Sequence, residues 1–452
     1  MTSSPSADKT LRIAVIGAGP VGLALALQAS RRLPQAQITV YDAAPAAVDV
    51  SGDPRTLALS QGSVQVLQRL GVWPQIETHA AAIRTVHVSQ QQPALLGLLA
   101  PRLGALLSGT AWPNVAAAGA RPAQRAGETF DASPSQNAEP ELVMRAGDLG
   151  ERQLGAVATY GAIVAPLRAG WLAASAAQPT RLRSRLGCKV QHIDAPWQAA
   201  QARVVMGGDV PDDLHDLVVV AEGGVFADQA RKAVSRDYGQ TAWIGTVETE
   251  GGEPGVAFER FTPNGPAALL PLPPLASTVP GRQRMALVWC LASKEVAARE
   301  LGAEQRCAVL QSVFSPRIGR IVSVSPLKGF ALGLNAERTL VQGRSVRIGN
   351  AAQTLHPVAG QGLNLGLRDA AVLVDRLARL RPGEDPVKSL RELDLERAPD
   401  RWSLIAGTDF LARSFTWTAP GLSTLRGAGI GLLQLATPVK KAVARHMMFG
   451  WR

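Results

Sequence analysis

A glycine-rich turn near the start of the chain has the residue types and spacing that bind a pyrophosphate. The segment Gly17-Ala-Gly-Pro-Val-Gly22 lies between an apolar run typical of a buried strand and a run typical of a helix. Gly17 permits the tight turn, Gly19 lets the backbone approach the phosphates, and Gly22 lets the helix pack on the strand. Asp42 ends the next strand-like run, 20 residues after Gly22, where an acid accepts hydrogen bonds from a ribose. This pattern predicts a dinucleotide-binding β-α-β unit.

A second glycine-rich segment, residues 349–370, has the residue types that contact a flat ring. It directly follows the strand-like run 345–348. Gly360 and Gly362 allow the backbone to approach such a ring closely. The helix that begins near Leu363 directs its positive end towards that place, which favours an anionic ring. A reduced flavin, which carries negative charge at its N1–O2 edge, fits this description.

Residues 349–370 resemble the second FAD motif of the aromatic-ring flavoprotein monooxygenases, and more narrowly that of the ubiquinone-biosynthesis hydroxylases. Asn350 and Gln353 stand where most of that superfamily has Asp and His. Residues 53–60 resemble the Asp-x-Arg motif of the family, and residues 257–272 and 287–290 resemble strands of its substrate domain. The ordered matches begin at residue 11 and extend to about residue 378.

The resemblance implies which residues bind each part of FAD. Gly17, Gly19, Gly22 and Asp42 would bind the ADP half, and Arg55 would contact the cofactor near its pyrophosphate. Glu222 and Gly223 represent the middle motif, with Glu in place of Asp and with Phe226 in place of Ser. Asn350 would contact the ribityl chain. The remaining residues of the flavin site would be Gly349, Pro357, Gly360, Gln361, Gly362, Leu363 and Asn364.

His356 and Pro357 are the candidate catalytic residues. Three structural interpretations remain open beside the functional ones. Arg55 could be a solvated loop arginine, His356 could be a polar residue at the entry of a helix, and Asn350 could mark a degenerate site.

The predicted fold class is α/β, with a Rossmann-type FAD-binding domain interleaved with a mixed-sheet substrate domain and followed by C-terminal helices. We expect helices at about 57–70, around 148–175 and at about 362–380, with helical breaks at Pro399, Pro420 and Pro438. The predicted FAD-binding parts are 1–90, 141–225 and 341–382, the substrate domain is 226–340, the Ala/Pro/Gly-rich insertion is 91–140, and the C-terminal helical region is 383–452.

The resemblance implies an FAD-dependent monooxygenase that hydroxylates a polyprenylated phenol in ubiquinone biosynthesis. NAD(P)H would reduce FAD, and O₂ would form a flavin C4a-hydroperoxide that attacks the ring. We expect no metal site. Two alternatives remain open, namely an FAD-dependent isoprenoid dehydrogenase or reductase and a non-catalytic scaffold of the biosynthetic assembly. Glu222 and the unusual insertion favour the scaffold.

The composition limits where the chain acts and what it contacts. The 452 residues are 46 % hydrophobic and carry a net charge of +11. No acidic residue follows Asp409, while basic residues continue to the end of the sequence, which favours contact with an anionic inner-membrane surface. An ordinary terminal helix packed on the body is the alternative. We therefore expect a cytoplasmic protein peripheral to the inner membrane, with other ubiquinone-biosynthesis proteins as further candidate partners.

Two other classes of protein are not indicated. No nucleic-acid-binding module is present in the sequence, and the three cysteines indicate no disulfide scaffold.

Overall fold

The computed structural model of the chain describes residues 10–91, 139–207, 211–222, 232–293, 300–414 and 422–451. Almost all of the predicted insertion lies outside these residues, as do Gly223, Phe226 and Pro420. Two large sheets organise the described part, and helices cover them.

The first sheet has six strands and is mostly parallel. Its strands are Arg12–Ile16 (β1), Gln37–Asp42 (β2), Leu182–Leu186 (β8), Leu217–Val220 (β12), Val341–Gln342 (β19) and Ser345–Arg347 (β20). Their order is β19-β20-β12-β1-β2-β8, and all pairs are parallel except β19 with β20. Its central strands consist of buried Ile, Val, Ala and Leu, as expected for a parallel sheet that is covered on both faces.

The second sheet has nine strands and is mostly antiparallel. Its strands are Thr85–Gln90 (β5), Glu141–Arg145 (β6), Lys232–Glu250 (β13), Val256–Thr262 (β14), Gly265–Leu272 (β15), Arg282–Ala292 (β16), Arg320–Val324 (β17), Lys328–Glu337 (β18) and Gln353–Thr354 (β21). Their order is β21-β18-β13-β16-β15-β14-β5-β6, with β17 paired to β13. Strands β5 and β6 therefore join this sheet, although the sequence-based boundaries assign them to the FAD-binding parts.

Two small antiparallel sheets complete the strands. One contains Thr56–Ser60 (β3), Ala80–Ile83 (β4) and Gly155–Thr159 (β7). The other contains His192–Asp194 (β9), Ala202–Val205 (β10) and Asp213–His215 (β11).

Helices cover the sheets and form the end of the described chain. They are Pro20–Arg32 (α1), Gln61–Arg69 (α2), Trp73–Glu77 (α3), Tyr160–Ala177 (α4), Ala303–Val313 (α5), Gln361–Leu377 (α6), Val387–Ser414 (α7), Leu422–Leu435 (α8) and Thr437–Phe449 (α9). Short 3₁₀ turns lie at Ala146–Leu149, Pro316–Ile318, Gly349–Ala351 and Val358–Gly360.

Three predictions of helix position differ from the structure. The helix predicted over 57–70 begins at Gln61, because residues 56–60 pair with β7 as a strand. The helix predicted around 148–175 begins at Tyr160, since residues 155–159 form β7 itself. Pro399 does not break its helix, and α7 continues through it. Buried ion pairs on both sides of Pro399 hold the helix in place despite the missing N–H.

Those ion pairs fix α6 to the C-terminal helices. Arg397 Nε lies 2.8 Å from Asp369 Oδ1, and its Nη2 lies 2.8 Å from Asp400 Oδ2. Arg368 of α6 donates to the carbonyl oxygen of Met447 in α9 at 2.5 Å. These charges are buried together, so removing one partner would leave the other uncompensated in the interior.

Candidate cofactor and substrate site

Four segments of the six-stranded sheet end at the same edge. Because β1, β2, β12 and β20 are parallel, their carboxyl ends lie together, and ligands of such sheets bind there. This edge contains Gly17 after β1, Asp42 at the end of β2, Glu222 after β12 and Gly349 after β20. The structure thus brings the first, middle and last predicted motifs together.

Protein packing alone requires glycine at Gly17 and Gly22. Gly17 has a φ of +103°, and a Cβ on it would lie 2.9 Å from the backbone nitrogen of Glu222. A Cβ on Gly22 would lie 2.0 Å from the carbonyl oxygen of Gly17. These two glycines shape the turn and seat α1 against β1.

Gly19 and Gly362 are different, because the protein has room for a side chain at both positions. The nearest atom to a Cβ on Gly19 would be Tyr160 Oη at 3.6 Å, and to a Cβ on Gly362 it would be Asn350 Oδ1 at 3.8 Å. Neither residue has a positive φ. The open spaces lie at the N-termini of α1 and α6, where free N–H groups attract anions. Both positions therefore fit a ligand that approaches the backbone, as FAD would.

The two glycine segments are packed directly on each other through Gly366. A Cβ on Gly366 would lie 2.8 Å from the Cα of Gly349 and 2.8 Å from Cγ2 of Val21. Helix α6 therefore cannot shift relative to α1 without opening this contact. Gly366 lies within the second glycine-rich segment, but it is not among the residues that the motif predicts to contact the flavin.

The Asp42 carboxylate closes the turn that follows β1. Its Oδ2 accepts the N–H of Ala18 at 2.6 Å, and its Oδ1 accepts the N–H of Ala44 at 2.7 Å. Each oxygen keeps a second lone pair that can accept a ribose hydroxyl. Burial and the nearby negative charge of Asp42 raise the pKa of Glu222.

Arg55 is held beside the first glycine turn by two side chains. Its Nη2 lies 2.7 Å from Asp53 Oδ2, and its guanidinium lies 4.2 Å from the centre of the Tyr160 ring. The hydrogen bond from Arg55 lowers the pKa of Asp53. Tyr160 also supplies the hydroxyl nearest to Gly19, so Arg55 lies near the N-terminus of α1. Sequence reasoning missed Tyr160, for which the only local signal is its position as the first residue of a helix.

The loop before α6, residues 349–360 (the flavin-motif loop), and the first turn of α6 contain the residues predicted to contact the flavin ring. Gly360 adopts the left-handed conformation, with a φ of +58°, and a Cβ on it would lie 3.0 Å from the Cβ of Ala58. Asn350 is exposed, whereas Pro357, Gly362 and Leu363 are half-buried and Gln361 is buried. Beside this loop lies an open cleft with about 530 Å³ of empty space, whose lining includes Glu222, Lys232, Arg347 and Asn350.

Asn364 is a buried connector between α6 and β3. Its Oδ1 accepts the N–H of Ser60 at 2.8 Å and the hydroxyl of Ser63 at 2.7 Å. Its Nδ2 donates to the carbonyl oxygens of Ala58 and Gly360 at 3.1 and 2.9 Å. The side-chain amide of Asn364 thereby fixes β3, the strand that follows Arg55, against α6.

His356 is buried, and both of its ring nitrogens face protein groups. The N–H of Val358 donates to Nδ1 at 3.2 Å, so Nε2 carries the proton and donates to Gln240 Oε1 at 3.1 Å. Burial lowers the pKa of His356 to about 4, which keeps the ring neutral. This arrangement suits a side chain that positions the Val358 loop. Gln240 lies 116 residues away on β13, and no sequence signal indicated it.

Comparisons with known proteins agree with this geometry. Residues 259–408 match the family described as FAD binding domain. Ubiquinone hydroxylase UbiL of Rhodospirillum rubrum is 40 % identical over 215 residues, which are 47 % of this chain and 48 % of that protein. The 3-demethoxyubiquinol 3-hydroxylase of Escherichia coli is 28 % identical over 284 residues, which are 56 % of this chain and 70 % of that protein. The chain is thus similar in sequence to hydroxylases of ubiquinone biosynthesis.

The structural likeness extends beyond the part of the chain that matches in sequence. The chain spans about half the length of UbiL in that match, 48 %. HpxO of Klebsiella pneumoniae, whose structure is a complex with FAD and uric acid, superposes with a TM-score of 0.65 over 97 % of both chains at 15 % identity. At that identity the likeness concerns the fold alone. It confirms the predicted α/β class with a Rossmann-type domain, a mixed sheet and C-terminal helices.

Proposed function

We propose that this chain is an FAD- and NAD(P)H-dependent hydroxylase of a polyprenylated phenol in ubiquinone biosynthesis. The observation that carries the proposal is the pair of open glycine positions, Gly19 and Gly362, at the N-termini of two helices that touch through Gly366. The relationship to UbiL and to 3-demethoxyubiquinol 3-hydroxylase supports the reaction and the pathway.

Each predicted site residue then has a definite task. Gly17 and Gly22 shape the pyrophosphate turn, Gly19 leaves room for the phosphates, Asp42 binds the ribose, and Arg55 compensates phosphate charge. On the flavin side, Gly349, Asn350, Pro357 and Gly360–Asn364 form the wall against the ring, and the N-terminus of α6 stabilises negative charge on it. Bound FAD would supply the oxygen-inserting chemistry with NAD(P)H as reductant. Glu222 and Gly223 remain proposed cofactor contacts.

We assign His356 a positioning role in place of the catalytic one that the sequence suggested. Its two hydrogen bonds, to Val358 and Gln240, connect the flavin-motif loop to β13 of the nine-stranded sheet. The ring therefore fixes the distance between the wall that would hold the flavin and the sheet that would hold the substrate. Pro357, which precedes Val358, remains a candidate contact of the reacting ring.

We also propose that the C-terminal helices rest on an anionic membrane surface, where a polyprenylated substrate resides. Ala444 and Met448 of α9 are buried against the body of the protein. Three apolar side chains at the end of α8 and the start of α9, together called the apolar stripe, are exposed, with relative exposures of 67 % at Leu432, 79 % at Leu435 and 54 % at Val439. The exposed Arg445 and the half-exposed Lys441 lie on the same helix as Val439, which fits a helix in the membrane interface. Among the described helices, none is long and apolar enough to span a bilayer.

The deciding experiment measures flavin binding and oxygen insertion separately. Purified protein incubated with FAD should acquire the absorption of bound oxidised flavin. Addition of NAD(P)H and a short-chain prenylphenol under ¹⁸O₂ should yield a hydroxylated product that contains ¹⁸O. NAD(P)H oxidation with product lacking ¹⁸O would favour a dehydrogenase or reductase instead, and absence of flavin binding would favour a scaffold.

A further inference from the structure

The nine-stranded sheet presents one of its faces to the flavin-motif loop. Along β14, Phe258 belongs to the apolar cluster on the opposite face that contains Leu310 of α5. Ala257 instead belongs to the apolar cluster that contains Ala444 and Met448 of α9, and Phe261 packs with Val358 of the flavin-motif loop. Because side chains alternate along a strand, Glu259 points to the same face as Ala257 and Phe261.

Glu259 is therefore an acidic side chain between two apolar contacts of that face. Its cross-strand neighbours are Val88 on β5 and Ala268 on β15. Val88 also packs against the cluster of Phe261 and Val358. Two residues along a strand span about 7 Å, so the carboxyl lies close to the flavin-motif loop.

The Glu259 carboxyl has no hydrogen-bond or ion-pair partner among the residues that the structure describes. Burial raises its pKa to about 8, and no charged group contributes to that rise. Glu259 nevertheless keeps partial solvent exposure, although protein crowds it. The carboxyl thus lies on a partly open face of the sheet, beside the apolar side chains of Val88 and Phe261. Cys290 lies on the same face, and burial together with the nearby Glu259 raises the pKa of its thiol.

A protonated carboxyl in such a place is a specific partner for a phenol. It offers one O–H donor and one carbonyl acceptor, and a phenol has the complementary acceptor and donor. When a ligand covers the carboxyl and displaces its water, the group needs a new hydrogen-bond partner, and a matching ligand hydroxyl supplies one. An apolar ligand of the same shape would not.

We propose that Glu259 binds the phenolic hydroxyl of the substrate and thereby orients the ring over the flavin-motif loop. The inference rests on the proposed function, whose substrate is a phenol. No covalent bond changes in this step, since the carboxyl and the phenol exchange hydrogen bonds only. Phe261 and Val88 would contact the apolar part of the same ring.

The test compares a short-chain prenylphenol with its methyl ether, which lacks the hydroxyl proton. Both are titrated by calorimetry into the FAD-incubated full-length chain, and uptake of FAD is recorded separately by absorbance. We expect the wild type to bind the phenol about tenfold more tightly than the ether, because the ether lacks one hydrogen bond to Glu259 and a hydrogen bond of this kind changes affinity by about that factor. Glu259→Leu should abolish this preference, and Glu259→Gln should retain part of it.

Glu248→Gln provides the matched control. Glu248 lies on β13 of the same sheet, at an end where its carboxylate pairs with Arg282 at 3.7 Å. This variant should keep the wild-type preference. An unchanged preference in Glu259→Leu, or equal binding of phenol and ether by the wild type, overturns the role of Glu259. If FAD is not bound, the proposed function fails on that measurement, and the titration still decides whether Glu259 recognises a phenol.

Discussion

The guanidinium of Arg55 lies 4.2 Å above the ring of Tyr160, and the hydroxyl of Tyr160 is the atom nearest to the open side of Gly19. This relationship connects two motifs that are 36 residues apart in the sequence, around Gly19 and Arg55. It holds a positive charge beside a helix N-terminus that already favours anions. Asp53 and Tyr160 hold the arginine in place before any ligand arrives.

Replacing Arg55 by Ala should therefore weaken FAD binding by about tenfold or more, since a charge-assisted hydrogen bond contributes about 1.5–3 kcal/mol. Fluorescence titration with FAD measures the effect. Arg320→Ala is the control, because Arg320 also pairs with an acid, Glu250, but on an exposed part of the nine-stranded sheet. Equal FAD affinities of the two variants would mean that Arg55 is an ordinary surface arginine.

Gly366→Ala should destabilise the fold by about 1–3 kcal/mol, because the added methyl group meets backbone at Gly349 and the side chain of Val21. Urea unfolding of the flavin-free protein measures the loss. Gly407→Ala places the same methyl group in α7, where no described atom outside its own helical turns lies within 4 Å of it. That control should be neutral or stabilising by up to about 1 kcal/mol. A neutral Gly366→Ala would show that α1 and α6 can separate freely.

Gly19→Ala and Gly362→Ala should have the opposite pattern. The protein accommodates both methyl groups, with nearest atoms at 3.6 and 3.8 Å, so the free energy of unfolding should change little. FAD binding should weaken by about tenfold or more, because the methyl groups occupy the space that the phosphates and the ring would need. Titration with FAD, with Gly407→Ala again as control, tests this. Wild-type FAD affinity in both variants would contradict the assignment of these spaces to the cofactor.

Some residues of this site can be predicted from the sequence, and others cannot. Gly17, Gly19 and Gly22 act within one turn, so their spacing alone indicates the turn and its ligand. Gly366, Tyr160 and Gln240 act through contacts with distant segments, and nothing local distinguishes them from ordinary helix and strand residues. A local pattern cannot reveal a partner that tertiary packing supplies.

The same reasoning explains the secondary-structure errors. The apolar positions of residues 56–60 suit either a helix or a strand. These residues form a strand because their backbone pairs with β7. Pro399 is a helix breaker by local rules, yet buried ion pairs of Arg397 and Asp400 keep α7 continuous. In both cases a contact made far along the chain overrides the local preference.

The stability of the chain should depend on pH through Glu259. Its pKa is about 8 in the folded state, against 4.5 as its ordinary value, so the folded state holds the proton more tightly. The stabilisation is complete below about pH 4.5 and is lost as the pH rises to about 8, with a slope on the order of 1.4 kcal/mol per pH unit. Relative to Glu259→Gln, the wild type should lose stability from pH 5 to 8. Parallel melting temperatures of the two proteins over this range would contradict a raised pKa.

The apolar stripe of Leu432, Leu435 and Val439 should determine membrane binding. Replacing Leu432, Leu435 and Val439 together by Ser should greatly reduce flotation with anionic vesicles, since each buried aliphatic side chain contributes about 1.5–3 kcal/mol. Leu395→Ser is the control, because Leu395 is 77 % exposed on α7, outside the stripe. Raising the salt concentration should weaken the binding of the wild type to anionic vesicles, because salt screens the charges of Lys441 and Arg445. Neutral vesicles should bind less protein than anionic ones. Equal flotation of the triple variant and the Leu395→Ser control would leave the stripe without a role at the membrane, and the C-terminal helices would then serve only to hold α6 in place.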